Sequence, residues 1–282
     1  MKEVIIDALV DTLKIIPFLF VAFLIMEYIE HKFNKKGKDK IKEAGRLGPL
    51  FGSLLGAVPQ CGFSTMATNL YATRIITVGT LISIYLSTSD EMLPILISEG
   101  ASFGIIFKFL IIKVLIGMTC GFIIDFIMRK KHKNDNYEIK DFCKKEHCDC
   151  SHGIIKSSIK HTINITIFIL IVNILLDTGM HFFGEEKLSE LFLKNSLFGP
   201  FVSSLIGLIP NCAASVVLTE LYLGGAISFA SCLAGLLTGS GVALAVLFKV
   251  NKNIKQNLKI VVTVYLIGAL SGVIVEVISR LI

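Results

Sequence analysis

The chain alternates long apolar runs with short charged connectors. Apolar residues dominate about 4–29, 47–72, 75–98, 102–128, 157–181, 198–223, 226–248 and 259–280. Runs of this length span a hydrocarbon core of ~30 Å when helical, and in lipid only a helix or a closed barrel satisfies its own backbone polar groups. The pattern predicts an all-α polytopic membrane protein. Within each half the order is one long helix, a polar connector, a segment running from Gly-Pro to Pro-x-Cys, an apolar run and a last helix.

That order occurs twice. Sliding the sequence on itself by 151 residues aligns the halves without a gap, with 14 identities in the 43 positions from Gly48 to Asp90. Gly48 falls on Gly199, Pro49 on Pro200, Gly56 on Gly207, Pro59 on Pro210, Cys61 on Cys212, Ser64 on Ser215 and Tyr71 on Tyr222. The register holds to the end, where Gly117 meets Gly268, Gly121 meets Gly272, Asp125 falls on Glu276 and Arg129 meets Arg280. Apolar residues coincide easily by chance, but Gly, Pro, Cys and charged positions do not. The expected organisation is a single transmembrane domain made of repeat one (1–130), a central loop (131–156) and repeat two (157–282).

The phrase at the heart of each repeat is Gly-x-x-Pro-amide-Cys: Pro59-Gln60-Cys61 and Pro210-Asn211-Cys212. Proline removes a backbone donor and clashes with the preceding turn, so each phrase breaks a membrane helix and leaves carbonyls in need of partners. The 26 residues of 47–72 and of 198–223 fit one kinked helix or two short helices meeting at a re-entrant turn.

Connector charge gives the orientation. Residues 31–46 carry seven Lys/Arg and 129–156 carry eight, against two in 182–197 and four in 249–259. The positive-inside rule places 31–46, 129–156 and 249–259 in the cytoplasm and 182–197 outside. Each half then crosses an odd number of times and the repeats are inverted, as in many secondary transporters whose discontinuous helices form a site near the midplane.

Composition sharpens this picture. Among 282 residues, 53% are hydrophobic and 18% charged, with a mean hydropathy of +0.73. The net charge of +6 collects in connectors, so it is a topology signal and not a nucleic-acid surface. The first apolar stretch reads as a retained helix and not as a signal peptide. Seven cysteines scattered over membrane and loop give no disulfide framework. No phosphate loop, acid–base pair or nucleophile elbow is visible. The expectation is therefore a non-enzyme, driven by an ion gradient, with no tightly bound cofactor beyond a transported cation.

Three groups carry candidate chemistry. Gln60, Cys61, Asn211 and Cys212 present paired amides and thiols, and Ser64 and Ser215 lie one turn further on the same face; thiolate with oxygen co-ligands suits transition or heavy metals. The competing reading is that Cys and Ser are small residues that let helices approach and bond to one another. Asp90 and Glu91, inside Ser87-Thr88-Ser89-Asp90-Glu91, are either cation or proton carriers within the membrane or the cap of a short helix at its surface. In repeat two the counterpart is Thr238-Gly239-Ser240-Gly241, which keeps the hydroxyls and lacks the acids. The central loop gathers Cys143, His147, Cys148, Cys150 and His152, zinc-type ligands without a zinc-finger spacing, read as a loose metal patch or as a solvated linker. Asp125 beside Arg129 and Glu276 beside Arg280 read as snorkelling surface ion pairs, and His161 and His181 as interfacial.

On its duplicated Gly-x-x-Pro-[Gln/Asn]-Cys phrase, the preceding Gly-Pro and the Cys/His-rich loop, the chain resembles a family of bacterial ten-helix heavy-metal exporters, described variously as arsenic efflux proteins or manganese transporters. The resemblance covers nearly the full length. It implies an inner-membrane permease of ten helical segments that exports a metal or metalloid, with Pro59, Gln60, Cys61, Pro210, Asn211 and Cys212 carried over. Ten segments fit if each Pro-x-Cys region counts as two short helices and one further apolar run per half is broken. The leading expectation is secondary export of a divalent metal, manganese first. Efflux of trivalent arsenicals is the alternative within transport, and a membrane metal sensor the alternative from another class. The expected partners are the metal ion and the lipid bilayer; the oligomeric state stays open, a homo-oligomer included.

Overall fold

The computed structural model describes scattered helical positions of 9–28 and residues 45–58, 61–89, 91–131, 154–183 and 198–281. Most of those residues are helical, with no strand among them. In repeat one, a single 3-10 turn leads into α1 (Gly48–Gly56), followed by α2 (Cys61–Ala72), α3 (Val78–Ser87), α4 (Met92–Ser98) and α5 (Phe103–Lys131). After α6 (Ile154–Phe183), repeat two gives α7 (Gly199–Gly207), α8 (Ala213–Leu223), α9 (Phe229–Thr238), α10 (Ala243–Val250) and α11 (Ile254–Leu281). The duplication read from the sequence is thus a duplication of elements.

Glycine contacts fix the direction of the short helices. A methyl group added to Gly48 would meet Thr80, one on Gly52 would meet Ser83, and one on Gly56 would meet Ser87 and lie 2.8 Å from the Ile84 carbonyl. Positions rise together on both helices, so α1 runs parallel to α3. Small residues are what allow backbones this close without a hydrophobic driving force between helices. Helix α2 runs the other way, joined to α3 by the tight turn 73–77 and tied to it by Thr68 Oγ1, 2.6 Å from Tyr85 OH. Parallel α1 and antiparallel α2 make a re-entrant hairpin, with α1 ending at Gly56 and α2 opening at Cys61. Of the two geometries that fitted the 26-residue segment, this is the second.

Repeat two does the same. Gly199 packs on Ser231 and Gly207 on Gly235 and Thr238, so α7 is parallel to α9, while the Cys232 thiol donates to the Leu218 carbonyl of α8 (3.5 Å). The turns after α2 and α8 also correspond. Arg74 (φ 66°) and Gly225 (φ 70°), 151 positions apart, both take the left-handed conformation that ends a helix, bonding back to Tyr71 and Tyr222 carbonyls. Glycine adopts it freely; Arg74 is held there with its guanidinium on Gln256 Oε1 (2.9 Å) and over the Tyr71 ring.

Helices α9 and α10 together form an apolar stretch, Phe229–Val250, long enough to cross a membrane and 83% buried, against 22% for the stretch Phe103–Met128 of α5. The broken spans therefore form the centre and the long unbroken helices the rim. On that rim, Phe103, Phe107, Ile111 and Leu115 of α5, and Leu258, Val262, Leu266 and Leu270 of α11, form exposed stripes with a spacing of four residues. Stripes of that size on one face of a long helix are a lipid-facing surface.

Two carboxylates hold the broken spans to the rim. Asp125 of α5 accepts from Thr77 Oγ1 (2.6 Å) and from the Gly79 N–H (2.9 Å), and Glu276 of α11 accepts from Ser228 Oγ (2.7 Å). Thr77 and Ser228 are the N-caps of α3 and α9, each accepting from the N–H three residues on. This corrects the snorkelling expectation: both acids are 6% exposed and brace helix N-termini, where negative charge is favoured. Glu276 also keeps its pair with Arg280 at 3.2 Å. His161, expected at an interface, is buried and stacks on Phe23 with ring centroids 5.5 Å apart.

Candidate functional site

The site grows from four helix interruptions. Two are the hairpin tips, where α1 stops at Gly56 and α7 at Gly207; the other two are the breaks inside the central spans, after Ser87 and after Thr238. Helix ends leave backbone donors and acceptors without intrahelical partners, so four ends inside one membrane domain concentrate polar backbone at its centre.

The halves exchange their short helices across this centre. The hairpin arm α2 packs on α10 of the other repeat, and its counterpart α8 packs on α4, while α3 and α9 cross each other directly. Such reciprocal pairing is the signature of a two-fold relation between repeats. On the α2 side it carries polar contacts. Ser64 Oγ donates to the Ser240 carbonyl in the second break (3.4 Å), and Tyr85 OH reaches the Ala243 carbonyl at the start of α10 (3.4 Å).

The second break needs a left-handed residue, supplied by Gly241 (φ 55°), and it exposes Ser240 Oγ, a fully buried atom with no hydrogen-bond partner among the described residues. Asn69 Oδ1 on α2 is likewise buried and unpartnered among the described residues. Leaving such a group unsatisfied costs about 1–3 kcal/mol. An orphaned oxygen in a helix break, as at Ser240, is what an oxygen-binding solute would use.

The first break is equally internal. Ser87, Thr88 and Ser89 are at most 2% exposed, so this hydroxyl cluster does not sit on the protein surface. Glu91 is half-buried just before α4 and makes no side-chain capping bond. Asp90 lies outside the described residues, as do Pro59 and Gln60. Of Cys61, the backbone opens α2.

In the second tip, Asn211 Oδ1 accepts the Ala213 N–H (2.9 Å), closing one of the donors left open at the start of α8. Ser215 Oγ donates to the Cys212 carbonyl (2.7 Å). Cys212, 6% exposed, belongs to an apolar cluster with Val242, Val246, Ile165 and Ile169. Among the described residues no three His, Cys, Asp or Glu side chains converge. The Cys143, His147, Cys148, Cys150 and His152 patch lies outside the described residues.

One residue that the sequence reading passed over stands at the crossing. Lys113, in the middle of α5, is fully buried, and its ammonium donates to the Thr88 carbonyl in the first break and to the Leu236 carbonyl near the end of α9 (2.9 Å). Its repeat counterpart is Val264, also fully buried. The available signal was that, of the two lysines inside the 27-residue apolar run 102–128, Lys108 has a lysine at the 151-residue offset (Lys259) whereas Lys113 has an apolar partner.

A comparison with protein families finds a match on each half of the chain, over residues 1–150 and 133–279, to the family described as "Putative, 10TM heavy-metal exporter". No curated protein and no solved structure matches the chain. A duplicated, all-helical domain with lipid-facing stripes, and family matches that together cover almost its whole length, lead to one conclusion: the chain belongs to this family of ten-helix heavy-metal exporters.

Proposed function

We propose that the protein is a secondary transporter in the cell's inner (plasma) membrane that exports a divalent transition metal, manganese first, through the space where the hairpin tips meet the breaks of α3–α4 and α9–α10. The observation that carries this reading is the donor set at the crossing. Ser64 Oγ, Ser240 O and Oγ, Tyr85 OH and Ala243 O are all oxygens, and Ser240 Oγ has no partner among the described residues. Manganese is comparatively hard and low in the divalent affinity order, so it takes such oxygens readily, whereas trivalent arsenic takes thiolates. The described thiols support the oxygen reading: Cys232 is bonded to a backbone carbonyl and Cys212 is embedded among apolar side chains. Gln60 and the remaining acceptor capacity of Asn211 would complete the set, with Asp90 and Glu91 next to the first break as further oxygen donors.

Topology supports the same reading. If each hairpin enters and leaves on one side and each broken pair crosses once, a repeat makes three crossings, an odd number. The Lys/Arg-rich connectors 31–46, 129–156 and 249–259 then all fall in the cytoplasm, and the repeats are inverted.

The test is flux through the purified protein in proteoliposomes with manganese, zinc, cadmium, iron and arsenite offered in turn. Manganese flux above the empty-vesicle rate is the expected result. Arsenite flux alone would identify an arsenical permease. Absence of flux for every substrate, with metal binding retained, would identify a sensor.

A further inference from the structure

We infer that the Lys113 ammonium is a built-in substitute for a monovalent metal cation at the crossing of the two broken spans, so that the protein holds its centre together, and works, without sodium. Helix α3 ends at Ser87 and α9 at Thr238, so the carbonyls of Thr88 and Leu236 belong to the last, unpaired group of each helix. Both helix dipoles present their negative ends there. Where half-helices end inside a membrane domain, such carbonyls are the usual ligands of a coupling cation. Here Nζ takes both, one from each repeat, and is sealed from solvent.

The duplication provides an internal comparison. The two-fold relation that maps α5 onto α11 puts Val264 where Lys113 stands, and Val264 is as fully buried. A charge needed only to stabilise the fold of one repeat would be expected in the other, which has the same small-residue packing of Gly268 and Gly272 on α9. The cation is instead present once, at the single crossing of α3 and α9, as one ion shared by two halves would be. Lysine ammonium and sodium carry the same charge and accept the same carbonyl oxygens. A side chain, however, cannot be diluted away or carried across.

Binding rests on this geometry alone. Its consequence for transport rests on the proposed exporter function, and the experiment separates the two. The full chain in nanodiscs is melted in sodium, potassium and choline chloride at equal ionic strength. The wild type should melt at the same temperature in all three. Lys113→Ala, which opens the seat and strands two carbonyls, should melt about 5–10 °C lower in choline and recover saturably in sodium or potassium. Lys113→Arg, which keeps the charge, should show no salt preference. A folded Lys113→Ala variant that melts identically in all three salts overturns the inference, as does a sodium-specific stabilisation of the wild type.

If the alanine variant does not fold in any salt, wild-type proteoliposomes decide. Manganese flux unaffected by a sodium gradient, with no radioactive sodium carried, supports the inference. Sodium-driven flux overturns it. Absence of any metal flux would defeat the exporter reading, and the wild type's melting then judges Lys113: equal melting in the three salts supports the inference and a sodium-specific stabilisation overturns it.

Discussion

Ser64 on the first hairpin donates its hydroxyl to the main-chain carbonyl of Ser240, 3.4 Å away in the break of the opposite repeat. That contact joins a hairpin tip of one half to the helix interruption of the other. It places the first turn of α2 beside a residue whose buried hydroxyl has no partner among the described residues. The same junction is reinforced by Tyr85, which lies between Thr68 of the hairpin and Ala243 of α10.

Removing the junction hydroxyls should impair transport more than stability. Ser64→Ala with Tyr85→Phe deletes the bonds to Ser240, Thr68 and Ala243, three bonds of about 1 kcal/mol each, so the melting temperature should fall by only several degrees. If these oxygens line the pathway, manganese flux should fall at least tenfold. Flux and thermal melting measured on the same preparation give the comparison.

The bracing acids should behave as a matched pair. Asp125→Asn and Glu276→Gln each weaken a charge-assisted bond to an N-cap hydroxyl, and each should cost about 1–2 kcal/mol of stability. Equal losses in melting temperature are expected, because Thr77–Asp125 and Ser228–Glu276 are the same contact in two repeats.

Close packing of the hairpins should tolerate no side chain. Gly56→Val would drive a methyl group into Ser87 and to within 2.8 Å of the Ile84 carbonyl, and Gly272→Val would press on Pro200 at 2.8 Å. Overpacking of this kind costs about 1–3 kcal/mol or more. Both variants should show a reduced monodisperse fraction in size-exclusion chromatography.

Deleting residues 134–152 should leave intrinsic flux in place while altering its metal dependence, since this stretch has no counterpart in the other repeat and is hydrophilic. Flux by the well-folded deletion in vesicles checks it. A cysteine placed at Asn134 should be labelled from the cytoplasmic side only, and one at Ser189 from outside only, if the repeats are inverted.

Much of the architecture could be read from residue order. The offset of 151, the Gly-Pro and Pro-x-Cys phrases and the apolar runs located the repeats and their interruptions, because glycine and proline act on the backbone locally. Hairpin direction could not be read this way. It depends on which small residues of α1 meet which of α3, and Gly48, Gly52 and Gly56 look alike whether a helix continues or turns back. Asp125 was placed at the surface for a related reason: nothing near it in sequence shows that it is buried and reaches Thr77, 48 positions away. Lys113 was passed over because two lysines in a long apolar run barely change its hydropathy, and only the crossing of α3 with α9 gives the Lys113 ammonium its two carbonyls.

A metal cation that crosses on oxygens gathered at the tips and breaks makes opposite demands on two double variants, whose flux can be measured side by side. Cys61→Ser with Cys212→Ser removes both tip thiols, and Gln60→Ala with Asn211→Ala removes both tip amides. Because Asn211 also caps the Ala213 N–H, folding of the amide variant has to be verified by melting. On an oxygen pathway the thiol variant keeps a reduced manganese flux and the amide variant loses it. An amide variant that still carries its substrate, beside a thiol variant that carries none, would contradict the oxygen pathway and identify a thiophilic substrate instead.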